Sequence, residues 1–223
     1  MLKIRLIFFF TRLFYGKYSP QFYFIYKKHV KKSVYRPCYK DSFMAHVEPL
    51  MENDMSYEIY NTSQTINFIN FDFGSSIKDL KKIKGEPYYY TIEKIEKQHI
   101  IVIGYNEDSG NAEIKTVYYF YKNKLYMGEY VFISIQSQVE NDIYKALENK
   151  YLNETIQNKS RFIIKDKNQS YIIPENTGFE LIIKYYCHEN KEVYELLKDH
   201  FNKYKKSGIG KKKSIEKGFL EMI

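Results

Sequence analysis

The 223-residue chain has no tryptophan, only five prolines and ten glycines, and only two cysteines. Cys38 and Cys187 cannot build a disulfide framework, so a reducing, cytoplasmic location is the expectation. Long apolar runs are missing too. Leu6 to Phe10 is an unbroken apolar stretch that Arg12 soon ends, short of the roughly 7 to 15 residues of a secretory core and the roughly 20 of a spanning helix. No transmembrane segment is expected. The sequence contains no phosphate-binding glycine loop, dinucleotide fingerprint, Gly-x-Ser-x-Gly elbow or kinase signature. His29, His46, His99 and His200 show no ligand spacing, and His188-Glu189 lacks the second histidine of a zincin. Neither metal nor cofactor is therefore expected.

Nucleophile, base and carboxylate types crowd together only at Cys187-His188-Glu189. Successive residues at a strand end point in different directions, and a catalytic dyad is built by spatial adjacency. A buried structural cysteine is the expected reading there, and the chain as a whole leans away from catalysis.

What the chain does have is apolar and aromatic material. Hydrophobic residues make up 44% and aromatics 18%, with 24 Tyr and 16 Phe, which is far beyond a disordered composition. An AT-rich coding sequence would produce the same excess of Tyr, Phe, Ile, Asn and Lys, so tyrosine abundance alone is not a binding signal.

The net charge of +8 is unevenly distributed. Residues 1 to 40 hold ten basic side chains and no acidic one, residues 41 to 202 carry −7, and residues 203 to 223 carry +5. A basic pI would ordinarily raise nucleic acid or an anionic membrane as partners. Here that pull resides in the ends. The division expected is a basic aromatic extension over 1–43, one α+β domain over 44–206 and a lysine-rich tail over 207–223. Three readings of the extension stay open: a binding arm, an ordered layer packed on the domain, or a start-site artefact with translation beginning at Met44, Met51 or Met55.

Within the domain, the alternation from Thr65 to Phe73 predicts an opening strand. Gly74-Ser75-Ser76 breaks it, either serine can cap a helix over about 77–84, and Gly85 stops that helix before Pro87. From Tyr88 the period becomes two, predicting strands near 88–95, 98–105, 113–122 and 125–136 in an antiparallel meander. The third has large side chains on both faces, as a central strand needs. Ser137-x-x-Glu140 reads as a capping box opening a helix over about 138–151, with Val139, Ile143, Leu147 and Tyr151 on its apolar side. Strands near 161–166, 170–173 and 179–187 follow, then a helix over about 191–204 burying Val193, Leu197, Phe201 and Tyr204. The class is α+β: a mainly antiparallel sheet of seven or eight strands with three helices.

Gly74, Ser76, Leu80, Gly85 and Pro87 sit where the SmpA/OmlA (BamE) group and related β-lactamase-inhibitor-like domains open and close a short helix ahead of an antiparallel sheet. The stretch of about 14 residues resembles that pattern, although no lipoprotein cysteine stands near the start. The resemblance implies a non-catalytic sheet that binds another protein. The second helix with its three strands reads as a loose repeat of the first unit.

The expected function is a non-enzymatic protein-binding module with an inhibitor, immunity-type or assembly-adaptor role. Tyr88, Tyr90, Tyr119, Tyr121, Tyr126 and Tyr130 of the meander are its candidate interaction residues, since tyrosine provides large amphipathic contact area and an acidic domain suits a basic partner. The alternatives are a nucleic-acid or anionic-membrane-surface binder acting through the basic ends, and an enzyme with an unrecognised site.

Overall fold

A computed structural model describes residues 2–17, 19–30, 57–95, 97–108, 113–133, 135–159, 161–178 and 180–206. Cys38, the alternative starts Met44, Met51 and Met55, the tail 207–223 and the Tyr204 side chain lie outside the described residues. So do residues 109–112, between the second and third strands of the expected meander.

Eight strands form one sheet: β1 (Glu58–Thr62), β2 (Tyr89–Ile95), β3 (Gln98–Asp108), β4 (Glu113–Tyr121), β5 (Lys124–Ile133), β6 (Phe162–Asp166), β7 (Ser170–Asn176) and β8 (Glu180–Cys187). Their spatial order is β1-β6-β7-β8-β5-β4-β3-β2. Every pairing is antiparallel except β1 with β6. Two meanders, β2 to β5 and β6 to β8, thus run inward from opposite sides and join where β5 pairs with β8. Each is preceded by a helix, α3 (Ile77–Lys84) or α4 (Ser137–Tyr151), and both helices pack on the same sheet face. The opposite face takes α5 (Lys191–Lys206), whose Val193 and Leu197 are wholly buried against Ile100, Val102 and Tyr119. All three expected helices form. Two further ones, α1 (Leu2–Tyr15) and α2 (Pro20–Val30), fold in the basic extension, making five among the described residues.

Local signals explain most boundaries. Ser76 caps α3 by accepting from the Asp79 amide, and the Asp79 carboxylate accepts from Ser76 in return. Those hydrogen bonds from Ser76, with Lys82 beside them, hold the Asp79 carboxyl below its usual range. Gly85, at φ +76°, ends the helix. Lys122 and Asn123, both at positive φ, make the two-residue reversal between β4 and β5. Pro174 lies inside β7, which the sheet tolerates because β6 pairs with β7 only at Tyr171 and Ile172.

The sequence expectation fails in two places. The capping box at Ser137 does not form: Gln136 occupies the cap position without a side-chain bond, and Glu140 instead accepts from Asn176 Nδ2 at 2.7 Å. The helix starts a residue early, which turns the would-be cap into its first member. More substantially, 65–73 is no strand, and the opening strand is β1. Ile69 and Asn70 adopt φ of +52° and +53°, and Phe68 bridges back to Phe71. Left-handed backbone at a β-branched residue is strained by roughly 1–3 kcal/mol. What compensates is Phe68, which is fully buried with its ring 5.0 Å from Tyr118, 5.1 Å from Tyr130 and 5.4 Å from Tyr185. Gly128 makes this nest: a Cβ there would sit 2.1 Å from the Phe68 ring. Asp166 holds the start of the segment, its carboxylate accepting from the amides of Ile66, Asn168 and Ser170.

β4 is central and covered on both sides, every residue from Thr116 to Tyr121 being buried. Charge also enters the core. Glu129 on β5 and Lys184 on β8 are register partners with no exposed surface. Tyr119 donates its hydroxyl to Glu129 at 2.8 Å, and Lys184 pairs with Glu175. Such pairings offset the cost of burying charge, although the second Glu129 carboxylate oxygen, Oε1, has no hydrogen-bond partner among the described residues.

Candidate functional site

The structure divides the six candidate tyrosines sharply. Tyr90, Tyr119, Tyr121 and Tyr126 are core residues, and Tyr130 is half-buried beneath Phe68. Burial pushes the Tyr130 phenol up to about 12 and the Tyr126 phenol well above its ordinary value. The Tyr126 hydroxyl has no hydrogen-bond partner among the described residues, so its ring acts as a hydrophobe. Of the six, only Tyr88 stays exposed. The other five therefore do not form a free interaction surface. Both faces of the meander are consumed by packing, which period-two alternation with large residues on each side could equally have signalled.

The Cys187 cluster is likewise structural. The thiol is buried, and that burial raises its pKa, the reverse of what a reactive thiolate needs. His188 is lodged among Tyr171, Tyr186 and Tyr194, 4.3 Å from the last, and desolvation with Lys165 nearby lowers its pKa. Among the described residues no group of three or more His, Cys, Asp or Glu could hold a metal ion.

Exposed apolar surface gathers instead on α1. Leu6, Ile7, Phe9, Phe10, Leu13 and Phe14 are all substantially exposed, Phe14 reaching 74%. At 100° per residue they occupy one arc of about 160°. The opposite side carries Phe8, packed on Phe22 and Tyr26 of α2, and Thr11, whose hydroxyl back-bonds to the Ile7 carbonyl. Arg12 flanks the arc, and the hairpin contains no acidic residue.

α2 fixes this hairpin to the sheet at edge strand β2. The Tyr23 ring packs edge-on against Tyr90 at 5.6 Å, its hydroxyl lies 3.3 Å from that of Thr91, and Phe24 meets His99. At the α1–α2 turn, Lys17 pairs with Glu86 at 2.9 Å. Of the three sequence readings of the extension, an ordered layer packed on the domain agrees with these contacts. The length of the apolar run does not reveal the α1 face, but its helical period does: Leu6, Phe10 and Leu13 carry the i, i+4, i+7 signal. Among the described residues no helix is long and apolar enough to cross a membrane.

No protein-family model, no curated protein and no solved structure matches the chain.

Proposed function

We propose that this protein is a non-enzymatic binding module that docks on an anionic membrane surface through the exposed face of α1. The observation that carries this reading is the arc from Leu6 to Phe14, contiguous, aromatic and set in a segment with ten basic and no acidic residues. Such an amphipathic helix lies in the interface plane with its apolar side among the acyl chains, while flanking Lys and Arg meet anionic headgroups. Fully burying a Phe or Leu side chain is worth roughly 1.5–3 kcal/mol, and a basic residue near an anionic leaflet adds about 1 kcal/mol. A few of each give reversible binding. The helix has 14 residues, too short to span, so it would lie on the surface. The sheet body, anchored to the hairpin through Tyr23 and Lys17, is then the part held at the surface. Its twice-repeated order of a helix followed by antiparallel strands supports the likeness to BamE and inhibitor-like domains, in which that sheet would present itself to another protein.

Flotation with phosphatidylcholine vesicles, with and without phosphatidylserine, tests this. The full chain should float only with the anionic vesicles, lose binding steeply as salt rises, and cease to float as the Phe9→Ser/Leu13→Ser/Phe14→Ser variant. A wild-type chain that stays in solution, or a variant that floats equally well, sinks the reading. Salt-insensitive dimers abolished by the same variant would instead make the face a protein interface.

A further inference from the structure

Beside the α1–α2 turn, the hairpin, α3 and the β4–β5 reversal enclose an open cavity of about 770 Å3. Its charged lining is of one sign. Lys17, Lys78, Lys81, Lys82 and Lys122 all border it, together with His99, and among the described residues no Asp or Glu does. Four elements brought together by the tertiary fold supply these residues, and α3 alone presents Lys78 and Lys82 one turn apart.

The carboxylates that answer these lysines are not in the wall. Glu86 takes both Lys17 and Lys81, at 2.9 and 3.2 Å, Asp79 takes Lys82 at 3.3 Å, and Glu192 takes Lys122. Lys78 has no ion-pair partner among the described residues. Glu86, Asp79 and Glu192 thus pair with four of the five lysines among the described residues. Glu86, Asp79 and Glu192 are all well exposed, so their pairings are weak and readily exchanged. Two of the first α3 amides are already engaged, Ile77 donating to the Asn123 side chain and Asp79 to the Ser76 hydroxyl, so the lysine side chains carry the recognition. Neutral polar groups are present as well: Gln98, Asn123 and Ser19 line the cavity.

We propose that this cavity binds a compact organic polyanion carrying two or more phosphoryl groups. Ammonium groups on flexible stems answer phosphoryl oxygens as point charges. The volume lies within the range of small-molecule sites and exceeds what a single inorganic ion fills. A soluble polyphosphorylated metabolite and the head of a polyphosphorylated lipid share this chemistry. Tyr15 and Gly16, at the end of α1, form part of the wall, which sets the cavity at the border of the proposed docking face. The inference goes beyond membrane docking and does not depend on it.

The probes are sodium tripolyphosphate, read by titration calorimetry in 0.15 M salt, and vesicles holding phosphatidylinositol 4,5-bisphosphate or phosphatidylserine at equal total charge. Tripolyphosphate should bind one to one, and the Lys78→Gln/Lys82→Gln variant should bind at least tenfold more weakly at an unchanged melting temperature. A vesicle preference for the bisphosphate lipid that disappears in the same variant identifies a headgroup as the source; equal binding to both lipids identifies a soluble ligand. The inference is overturned if wild-type protein gives no saturable tripolyphosphate binding, or if the glutamine variant binds like wild type. The Phe9→Ser/Leu13→Ser/Phe14→Ser variant separates the two proposals, since it should retain tripolyphosphate while losing vesicles. Tripolyphosphate binding without any vesicle docking leaves the cavity standing and removes the membrane reading.

Discussion

The hairpin and the sheet body are both rich in aromatic side chains, yet they place them oppositely. In the body, Tyr118, Tyr119 and Tyr126 are fully buried, and Phe68 is enclosed by three rings. On α1, Phe9, Phe10 and Phe14 face outward. A strand flanked by two neighbours and covered on both faces leaves its side chains nowhere else to go. A helix with a single helical neighbour covers only one side. The same residue type is therefore core in one region and candidate contact surface in the other, and environment, not composition, separates them.

The largest expected difference between the regions is alkaline. Burial raises the phenols of Tyr130 and Tyr144 to about 12, and those of Tyr118, Tyr185 and Tyr186 further. A folded-state pKa above the unfolded value means stability is complete below pH 10 and is lost as pH rises through the folded values. At pH 11 each such group destabilises the fold by about 1 kcal/mol. Several together approach the 5–15 kcal/mol of a whole domain. Unfolding followed by circular dichroism and phenolate absorbance at 295 nm should be cooperative between about pH 10 and 12. Phenols that ionise one by one with the fold intact would show the sheet core to be wetter than described.

Next in size is the nest under the loop. Phe68→Ala should cost about 3–5 kcal/mol in denaturant unfolding, and Gly128→Ala about 1–3 kcal/mol or more, because its new methyl enters the ring. The two changes touch the same space, so the double variant should cost less than their sum. Strict additivity would mean that Phe68 does not rest on Gly128. Asp166→Ala follows, at roughly 2 kcal/mol or more, because three amides lose their acceptor, two of those bonds being buried. Smallest of all is Phe14→Ser on α1, expected to change stability by less than about 0.5 kcal/mol. A loss like that of Phe68→Ala would put Phe14 inside a core and erase the contrast.

Much of the body was legible in the sequence. Gly74 to Pro87 specifies α3 chiefly by local chemistry, since Ser76, Asp79 and the stop glycine lie within a few residues of the groups they serve, and the distant Asn123 adds one bond to the Ile77 amide. The meander strands could be read because alternation and tight turns are also local. Residues 65–73 were misread for the opposite reason. Their alternation is real, but Ile66 and Phe68 are buried by dropping onto a sheet assembled from residues 50 to 120 positions away. The Ser137 box failed through a similar distant competitor, Asn176. None of the cavity was legible, because its lysines converge only when the hairpin reaches α3.

By itself, then, the sequence determined an α+β class, the three helices of the body, the succession of strands from β2 to β8 and the concentration of basic charge in the first forty residues. These rest on interactions between neighbours in sequence. Only the tertiary structure decided which tyrosines are buried, how two meanders join at β5 and β8, where β1 pairs in parallel, and that five lysines line one cavity. Those outcomes depend on groups far apart in the chain competing for the same space, and no local pattern records the winner.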